Sequence, residues 1–300
     1  MAAHRAGFVS LIGRPNVGKS TLLNRLVGER LAIVSPRPQT TRTRVTGIKT
    51  RPDAQVIFVD TPGFHEPRGK LDQLMANTVD RALEDVDLIC LVVEAPADPS
   101  RLDEPLFKLL APFRGPVFCC LNKADLVEPK DRLLPMIAAY QARHPFREIV
   151  PISATDGTNC DCLLELIVGV LPAHPPYFPP DTLTDQPETF YVAEVVRESL
   201  FLLTREEVPY ACAVRVEELA EREGKTLLYI RAVIFVEQSS QKAIVIGRGA
   251  VMLKRLGTVA RQRLEAFFGV RVFLELRVEV RKNWRKDDQA LRELGFMLTA

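Results

Sequence analysis

The chain has 300 residues, which is more than one typical domain needs and favours two. Apolar residues make up 47% of the sequence, enough for two cores, and the net charge of +2 by itself indicates no partner. No apolar run approaches a membrane span and the start lacks a signal-peptide pattern, so we expect no integral membrane segment. The six cysteines form no C-x-x-C pair, which favours free thiols in a reducing cytoplasm.

Residues 6–171 alternate between strand and helix patterns. This alternation predicts an α/β fold, a doubly wound and mostly parallel sheet with helices on both faces. In such sheets ligands bind at the carboxyl ends of the strands, so we expect site residues just after strands. The predicted strands are 6–12, 45–50, 55–60, 87–94, 116–121 and 148–152, and the predicted helices are 19–28, 70–84, 102–111, 131–143 and 159–171.

A proline-rich stretch divides the chain. Six prolines lie between Leu171 and Pro187, which forbids regular structure and predicts a semi-rigid linker. We therefore predict an α/β domain over 1–171, a linker over 172–189 and a smaller α+β domain over 190–300. Within the last domain we predict a helix over 190–204, a hairpin of strands 227–237 and 241–246, a helix over 250–268, a strand over 270–280 and a helix near 287–295.

The segment GRPNVGKS fits G-x-x-x-x-G-K-[ST], the phosphate-binding loop of P-loop nucleotidases, and lies between a predicted strand and helix. Gly13 and Gly18 permit a tight turn that aims backbone N–H groups at phosphate oxygens, and the following helix start favours the same anion. Lys19 would reach the β- and γ-phosphates, and the Ser20 hydroxyl would bind Mg²⁺. The predicted nucleotide-binding residues here are Gly13, Arg14, Pro15, Asn16, Val17, Gly18, Lys19, Ser20 and Thr21.

Three further motifs follow predicted strands. A carboxylate at Asp60 can hold Mg²⁺ through water, and the Gly63 N–H can contact a γ-phosphate. Asp125 can accept from N1–H and the 2-amino group of guanine, a donor pair that adenine lacks, and the main chain of Ser153-Ala154-Thr155 would support the base. The motifs therefore predict binding of GTP and GDP by Asp60, Thr61, Pro62, Gly63, Asn122, Lys123, Asp125, Ser153, Ala154 and Thr155.

Together these motifs resemble the translation-factor-like GTPases over residues 6–171. The resemblance implies a switch loop at Pro38–Arg42, in which a threonine binds Mg²⁺ only when the γ-phosphate is present. Thr41 is favoured for this role, and Thr40 is the alternative. The implied Mg²⁺ ligands are then Ser20, Thr41 and Asp60, and the residues expected to act in GTP hydrolysis are Lys19, Thr41, Gly63 and Asn16.

One position departs from many GTPases. Where a glutamine orients the attacking water, this chain has Phe64, whose ring can neither donate to water nor accept from it. His65 follows, but a histidine in such a loop is more often solvated than catalytic. In similar GTPases with an apolar residue at this position, an asparagine equivalent to Asn16 helps to bind K⁺ near the phosphates, which would supply positive charge during phosphoryl transfer. We expect slow intrinsic turnover.

The segment Gly247-Arg248-Gly249-Ala250, followed by a basic helix, resembles the G-x-x-G turn of a type II KH domain, which clamps the backbone of single-stranded nucleic acid. From Lys242 to Lys286 twelve Lys/Arg face three Glu, which favours RNA. Ala250 replaces the second glycine of the motif and costs freedom at positive φ. The alternative is an ordinary turn beside a solvated basic face. The predicted RNA-binding residues are Gly247, Arg248, Gly249, Ala250, Lys254 and Arg255, with Arg261 and Arg263 adding charge.

The single tryptophan, Trp284, lies among basic residues close to the end of the second domain. Its ring could stack on a base, as in many proteins that bind single-stranded RNA. It could equally anchor the last helix to the core. The sequence leaves both roles open.

A GTPase domain joined by a proline-rich linker to a KH-like domain resembles the Era family over essentially the whole chain. The resemblance implies a GTP-hydrolysing switch that binds the single-stranded 3′ end of small-subunit ribosomal RNA and assists assembly of the small ribosomal subunit. It also implies occasional peripheral association with the inner face of the membrane, and no DNA partner is expected.

Two other functions remain compatible with the motifs. A tRNA-modifying GTPase of the MnmE type shares the TTR and DTPG features, although a flanking helical domain and a C-terminal reactive cysteine are lacking here. The other is a GTP-controlled switch whose basic domain contacts acidic protein or anionic membrane. An ATP-using P-loop kinase is disfavoured, because the NKAD motif selects guanine.

Overall fold

The computed structural model describes residues 4–95, 103–222 and 227–296. These residues divide into two compact units, with residues 68–74 and those after Asp185 in the second unit and the others in the first. No helix within the described ranges has the length and apolar character needed to cross a membrane.

The first unit contains a six-stranded sheet flanked by helices. Its strands are β1 (Arg5–Ile12), β2 (Val45–Thr50), β3 (Ala54–Asp60), β4 (Leu88–Glu94), β5 (Val117–Asn122) and β6 (Glu148–Pro151). The helices along this part of the chain are α1 (Lys19–Val27), α2 (Lys70–Arg81), α3 (Glu104–Leu110), α4 (Leu133–Arg143) and α5 (Cys160–Val170).

The sheet order is β2-β3-β1-β4-β5-β6, and all neighbouring pairs are parallel except β2 with β3. Central strands such as β4 are continuous apolar runs because helices cover both of their faces. In register, Leu11 of β1 lies beside Asp60 of β3, and Glu94 of β4 beside Asn122 of β5. The loops that leave these strands therefore meet at one edge of the sheet.

The predicted α/β fold is confirmed, and each predicted strand and helix of residues 6–171 is present with ends shifted by a few residues. The start of the predicted helix 102–111 lies partly outside the described residues, and the observed helix begins at Glu104. Helix α1 ends at Gly28, which adopts the left-handed conformation and donates its N–H to the Asn24 carbonyl.

The proline-rich segment contains no helix or strand, and it lies against the first unit. The buried Gln55 side chain accepts from the backbone N–H of Tyr177 and Phe178 and donates to the Phe178 carbonyl. Further along, the N–H of Ile48 in β2 donates to the Leu183 carbonyl at 2.8 Å. The segment is therefore attached along the edge of the sheet rather than free in solution.

The second unit has the element order of a type II KH domain, with helices on a three-stranded sheet of order β7-β8-β9. Strand β8 pairs antiparallel with β7 and parallel with β9. The elements are α6 (Glu188–Leu203), α7 (Val208–Ala211), β7 (Ala213–Glu221), β8 (Leu227–Val236), α8 (Ser239–Ile246), α9 (Val251–Phe268), β9 (Arg271–Val280) and α10 (Asp288–Glu293).

One prediction in this unit is wrong. Residues 241–246 form the helix α8 rather than the second strand of a hairpin. A capping box explains the helix, because the Gln238 side chain and the Gln241 side chain each bond to the other's backbone. The strand pairing with β8 is supplied instead by β7 and β9, and β7 was not predicted because a β-bulge between Val216 and Glu218 breaks its alternation.

Candidate functional site

A cavity of about 470 Å³ lies at the carboxyl ends of the strands in the first unit. It brings together residues from all the predicted nucleotide motifs and from the switch loop. Its wall is formed by Pro15, Asn16, Gly18, Lys19, Ser20, Thr21, Ile33, Val34, Ser35, Pro36, Gln39, Thr40, Thr41, Gly63, Glu94, Asn122, Lys123 and Thr155.

Lys19 is the buried cation of this cavity. Its ammonium donates to the carbonyl oxygens of Gly13 and Arg14, each at 3.1 Å, so the side chain is curled over its own loop. Burial lowers the pKa of Lys19 to about 8, against the opposing attraction of Asp60. An anion in the cavity would therefore be strongly favoured, because it would restore a partner to a desolvated charge.

Three oxygen-bearing side chains from separate elements meet beside Lys19. The Ser20 hydroxyl lies 2.6 Å from Asp60 Oδ2 and 2.9 Å from the Thr41 hydroxyl, and Thr41 Oγ1 lies 3.5 Å from the same carboxylate oxygen. Burial raises the pKa of Asp60 to about 6, although Lys19 and the two hydroxyls oppose the shift. Among the described residues Asp60 Oδ1 is buried without a hydrogen-bond partner.

This cluster fits a Mg²⁺ ion. The donors are a carboxylate and two hydroxyls, the hard oxygen ligands that Mg²⁺ takes beside phosphates, and an orphaned carboxylate oxygen is available. The two threonines of the switch loop differ in position. Thr41 is buried and bonded to this cluster, whereas Thr40 only lines the cavity.

Asn122 joins the phosphate loop to the base loops. Its Nδ2 donates to the Val17 carbonyl at 2.7 Å, and its Oδ1 accepts from the Ala154 N–H at 2.9 Å. Gly18 must be glycine beside it, because a Cβ there would lie 2.2 Å from Asn122 Nδ2. Asn122 thus links the phosphate loop to the loop that carries Ala154.

The residues predicted to recognise the base are less enclosed. Asp125 is exposed and follows Lys123, which has a left-handed backbone and pairs its ammonium with Glu94. The Ala154 N–H, a candidate to support the base, already donates to Asn122, and the Ser153 N–H donates to the Thr158 carbonyl.

The Asp60-Thr61-Pro62-Gly63 segment is held against the phosphate loop. The Thr61 hydroxyl donates to the Leu11 carbonyl at 2.9 Å, and the Phe64 N–H donates to the Gly13 carbonyl at 3.0 Å. A Cβ on Gly63 would lie 2.5 Å from the Pro15 nitrogen, so the two loops are in direct contact. Gly63 therefore lies directly against the phosphate loop.

Arg14 does not line the cavity with its side chain. Its guanidinium forms a two-point ion pair with Asp103, donates to the Phe64 carbonyl at 3.3 Å and lies 5.4 Å from the centre of the Phe64 ring. Phe64 itself packs against the apolar core of the first unit. The structure therefore gives Arg14 a role in holding Phe64, and only its backbone reaches Lys19.

The switch loop contacts both neighbouring loops. Asn16, with a left-handed φ of 66°, donates its Nδ2 to the Pro36 carbonyl at 3.1 Å. The Gln39 Nε2 lies 2.9 Å from His65 Nε2, and His65 Nδ1 lies 2.8 Å from the Gly63 carbonyl. His65 is thus hydrogen-bonded rather than simply solvated.

In the second unit the predicted KH turn joins α8 to α9. Gly247 has a φ of 73°, and Ala250 caps α9 with a φ of 60° and a ψ of 23°, so the alanine occupies the left-handed region. Arg248, Lys254 and Arg255 are exposed, and none of them forms an ion pair with the described residues. The turn presents backbone and free positive charge together.

Two residues of the basic segment have structural roles. Arg263, which we expected to add surface charge, is mostly buried and pairs with Glu198 of α6. Trp284 is fully buried, and its indole N–H donates to the Ala211 carbonyl at 2.9 Å. Trp284 therefore anchors the end of the chain and is inaccessible to a base.

Two basic residues that contact the base loops were missed from the sequence. Arg25 and Lys130 donate to backbone carbonyls of these loops. Such contacts depend on backbone positions and leave no side-chain pattern, although Lys130 lies only five residues after Asp125.

Comparison with known proteins agrees with this geometry. Residues 8–123 match the family described as 50S ribosome-binding GTPase, and residues 207–285 match the KH domain. The chain is 51% identical to GTPase Era of Geobacter metallireducens, over 97% of this chain and 98% of the relative. It is 49% identical to GTPase Era of Lacticaseibacillus paracasei, over 99% and 98% respectively.

Two solved structures share the fold of the whole chain. A variant of Aquifex aeolicus Era bound to GDP and AlF4⁻ has a TM-score of 0.94 and 40% identity, covering 98% of this chain and 100% of that one. The same values describe Era in complex with MgGDPNP and nucleotides 1506–1542 of 16S ribosomal RNA. From the motifs, the cavity and these relatives, the chain belongs to the GTPase Era family and is a GTP-hydrolysing enzyme with a C-terminal KH domain.

Proposed function

We propose that this GTPase is a switch that binds the single-stranded 3′-terminal segment of 16S ribosomal RNA through its KH turn and assists assembly of the small ribosomal subunit. The observation that carries the proposal is the exposed turn at Gly247–Ala250, with Arg248, Lys254 and Arg255 free to contact phosphates. A relative with the same fold is known in complex with such an RNA segment.

In the nucleotide cavity, the backbone N–H groups of the phosphate loop and Lys19 would hold the phosphates. The Gly63 N–H has no backbone hydrogen-bond partner in the described part of the chain and would bind the γ-phosphate. Asp125 would select guanine through its carboxylate, with Asn122 fixing the loop.

Ser20, Thr41 and Asp60 would hold the Mg²⁺ ion. When bound, the ion neutralises charge on the phosphates and steadies them for transfer. Thr41 belongs to the switch loop, so its hydroxyl would leave the cluster when the loop relaxes.

Because Phe64 stands where many GTPases have a glutamine, no glutamine orients the attacking water at this position. We assign stabilisation of the negative charge that develops on the phosphates to Lys19 and to a K⁺ ion near Asn16. Asn16 supports this role because its amide lies at the contact between the phosphate loop and the switch loop. We expect K⁺ to raise the hydrolysis rate over Na⁺ at equal ionic strength, and Asn16→Ala to abolish that difference.

GTP would order the Thr41 loop and the Gly63 loop. The protein would bind RNA more tightly when these loops are ordered than when they are relaxed. A ligand shifts this equilibrium only if it binds the two states with different affinities. Hydrolysis would therefore act as a timer for RNA release.

The test is fluorescence anisotropy of a labelled RNA with the sequence of the 16S 3′ end. The full chain is loaded with a non-hydrolysable GTP analogue or with GDP. We expect tighter binding in the GTP state and a strong salt dependence. Equal affinity in both states contradicts the coupling.

A competition experiment separates RNA from other partners. Vesicles rich in phosphatidylserine should leave the RNA complex intact if RNA is the partner of the KH turn. Displacement of the RNA by vesicles, with weak RNA binding, would favour the membrane-binding alternative. A scrambled RNA and a tRNA serve as controls for sequence preference, and preference for tRNA would favour a tRNA-directed activity.

A further inference from the structure

The two base-recognition loops share a feature outside their motifs. Each loop is held through its carbonyl oxygens by one long basic side chain. Lys130 contacts the loop that carries Asp125, and Arg25 contacts the Ser153–Thr155 loop.

Lys130 binds three carbonyls at once. Its ammonium lies 2.9 Å from the carbonyl oxygens of Ala124 and Val127 and 3.4 Å from that of Asp125. These carbonyls belong to the 3₁₀ turn Ala124–Leu126 and the residue after it. The Ala124 carbonyl also accepts from the Val127 N–H, and the ammonium also lies 3.0 Å from the Glu128 carboxylate. An ammonium offers three N–H groups, which can be shared among such acceptors. Lys130 therefore fixes the turn that presents Asp125.

Arg25, in the last turn of α1, makes the corresponding contacts with the other loop. Its Nε donates to the Ala154 carbonyl at 3.3 Å, and its Nη2 donates to the Thr155 carbonyl. The guanidinium carbon lies 3.6 Å from where a Cβ on Gly157 would be, so the group lies flat against the loop. The planar fork of N–H groups holds two successive carbonyls in one fixed orientation, whereas an ammonium imposes no such orientation.

We propose that Lys130 and Arg25 are positioning residues for guanine recognition, which order the two base loops before the nucleotide arrives. The proposal rests on the proposed contact of Asp125 with guanine. A loop that is ordered in advance loses less conformational entropy on binding. Without either cation, ordering the loop becomes part of the binding reaction, and the contacts to the base are weakened while those to the phosphates are not.

Lys130→Met and Arg25→Met test this, because methionine keeps an unbranched apolar chain and removes the donors. We expect each variant to bind GDP about 3- to 10-fold more weakly, as for the loss of modest surface hydrogen bonds, with most of the effect in the dissociation rate. The affinity ratio of GDP to IDP should also fall in Lys130→Met, because only a positioned Asp125 carboxylate can accept from the 2-amino group that inosine lacks. Binding of inorganic pyrophosphate should not change.

Matched variants control for charge and shape. Arg132→Met removes one exposed positive charge two residues from Lys130 and should bind GDP as the wild type does. Arg25→Lys keeps the charge but not the fork, and should recover only part of the loss. GDP affinity within twofold of wild type in either methionine variant overturns the proposal for that residue, and an equal loss of pyrophosphate affinity overturns it as well.

A separate variant tests the underlying assignment. Asp125→Asn should transfer preference from GDP to xanthosine diphosphate, because the amide N–H can donate to the oxygen that replaces the 2-amino group. If Asp125→Asn keeps its preference for GDP, the guanine assignment fails and the role of Lys130 fails with it. If Asp125→Asn behaves as expected while the methionine variants bind GDP normally, only the positioning proposal is wrong.

Discussion

The phosphate loop and the KH turn enter their helices in a similar way but have different surroundings. Each places a left-handed residue before a helix, Gly18 with φ 99° and ψ 23° before α1, and Ala250 with φ 60° and ψ 23° before α9. A Cβ on Gly18 would lie 2.2 Å from Asn122 Nδ2, whereas Ala250 already carries a Cβ in a partly exposed turn. The first turn needs glycine for packing, and the second only benefits from it.

The cations differ in the same way. Lys19 is 6% exposed and bonded to its own loop, whereas Arg248 and Lys254 are exposed and unpaired within the described part of the chain. A small ligand of fixed geometry suits a buried, fixed charge. A flexible polymer of phosphates suits mobile charges that add up. A single added methyl group should therefore abolish most nucleotide binding, whereas each lost charge at the KH turn should lower RNA affinity only in part.

The largest effect, and therefore the strongest test of this comparison, is expected from Gly18→Ala. The added methyl group would collide with Asn122 and force an alanine to a φ of 99°, so we expect GDP binding to fall by at least about 100-fold. Titration calorimetry with GDP measures this, and circular dichroism checks the fold. GDP affinity close to wild type would show that the loop is less tightly packed than its contacts indicate.

The pH dependence of Mg²⁺ binding is the second test. Because burial raises the pKa of Asp60 to about 6, the carboxyl group is protonated below that pH in the nucleotide-free protein. By linkage, the nucleotide-free protein loses stability as pH rises from about 4 to 6, while Mg²⁺, which needs the carboxylate, gains affinity.

We expect the Mg²⁺ affinity of the GDP complex to be lower at pH 5 than at pH 7, because a proton on the Asp60 carboxyl group would compete with the ion. Mg²⁺ titrations near pH 5 and pH 7 provide the measurement. GDP binding in EDTA at each pH is the control for effects on the nucleotide itself. Equal Mg²⁺ affinities at the two pH values would remove Asp60 from the metal site.

A graded loss is expected at the KH turn. Replacing Arg248 and Lys254 together with alanine should weaken RNA binding about tenfold at physiological salt and make the slope of log affinity against log salt shallower by about 1.4, two contacts at about 0.7 each. The control is Lys282→Ala, which removes one exposed charge of the same unit after the end of β9. An equal loss in Lys282→Ala would mean that only overall charge matters.

The smallest effect is expected from Ala250→Gly. It relieves a left-handed alanine, and after the added backbone entropy of glycine we expect the free energy of unfolding to rise by about 0.5 kcal/mol. Urea denaturation provides the measurement, with GDP affinity as the control. Destabilisation by this substitution would show that the methyl group of Ala250 makes a favourable contact.

The sequence predicted the first unit well because each nucleotide motif follows a continuous apolar strand, and such strands must lie inside a covered sheet. It predicted the wrong structure for residues 241–246, where a short apolar run fits a strand or a helix equally well and only the pair Gln238 and Gln241 signals a helix start. The bulged strand β7 was not predicted for a similar reason. One extra residue at the bulge reverses the alternation of buried and exposed side chains along the strand.

Side-chain roles that depend on tertiary contacts were beyond the sequence. Nothing in the motif shows that the Arg14 side chain turns to Asp103 and Phe64, or that the charge of Arg263 is cancelled by Glu198. The contacts of Arg25 and Lys130 with carbonyl oxygens could not be predicted either. Every residue has a carbonyl group, and the side-chain pattern does not indicate which carbonyl groups lie near a given basic residue.

The proline-rich segment that lies along β2 determines where the protein can be truncated. Strand β2 is an edge of the six-stranded sheet, and an uncovered edge is a template for aggregation. Leu183 and Thr184 cover it by bonding to the backbone of Ile48 and Thr46. A first unit isolated for biochemistry should therefore end after Asp185, because cutting at the end of α5 would expose the edge and leave the side chain of Gln55 without its partners.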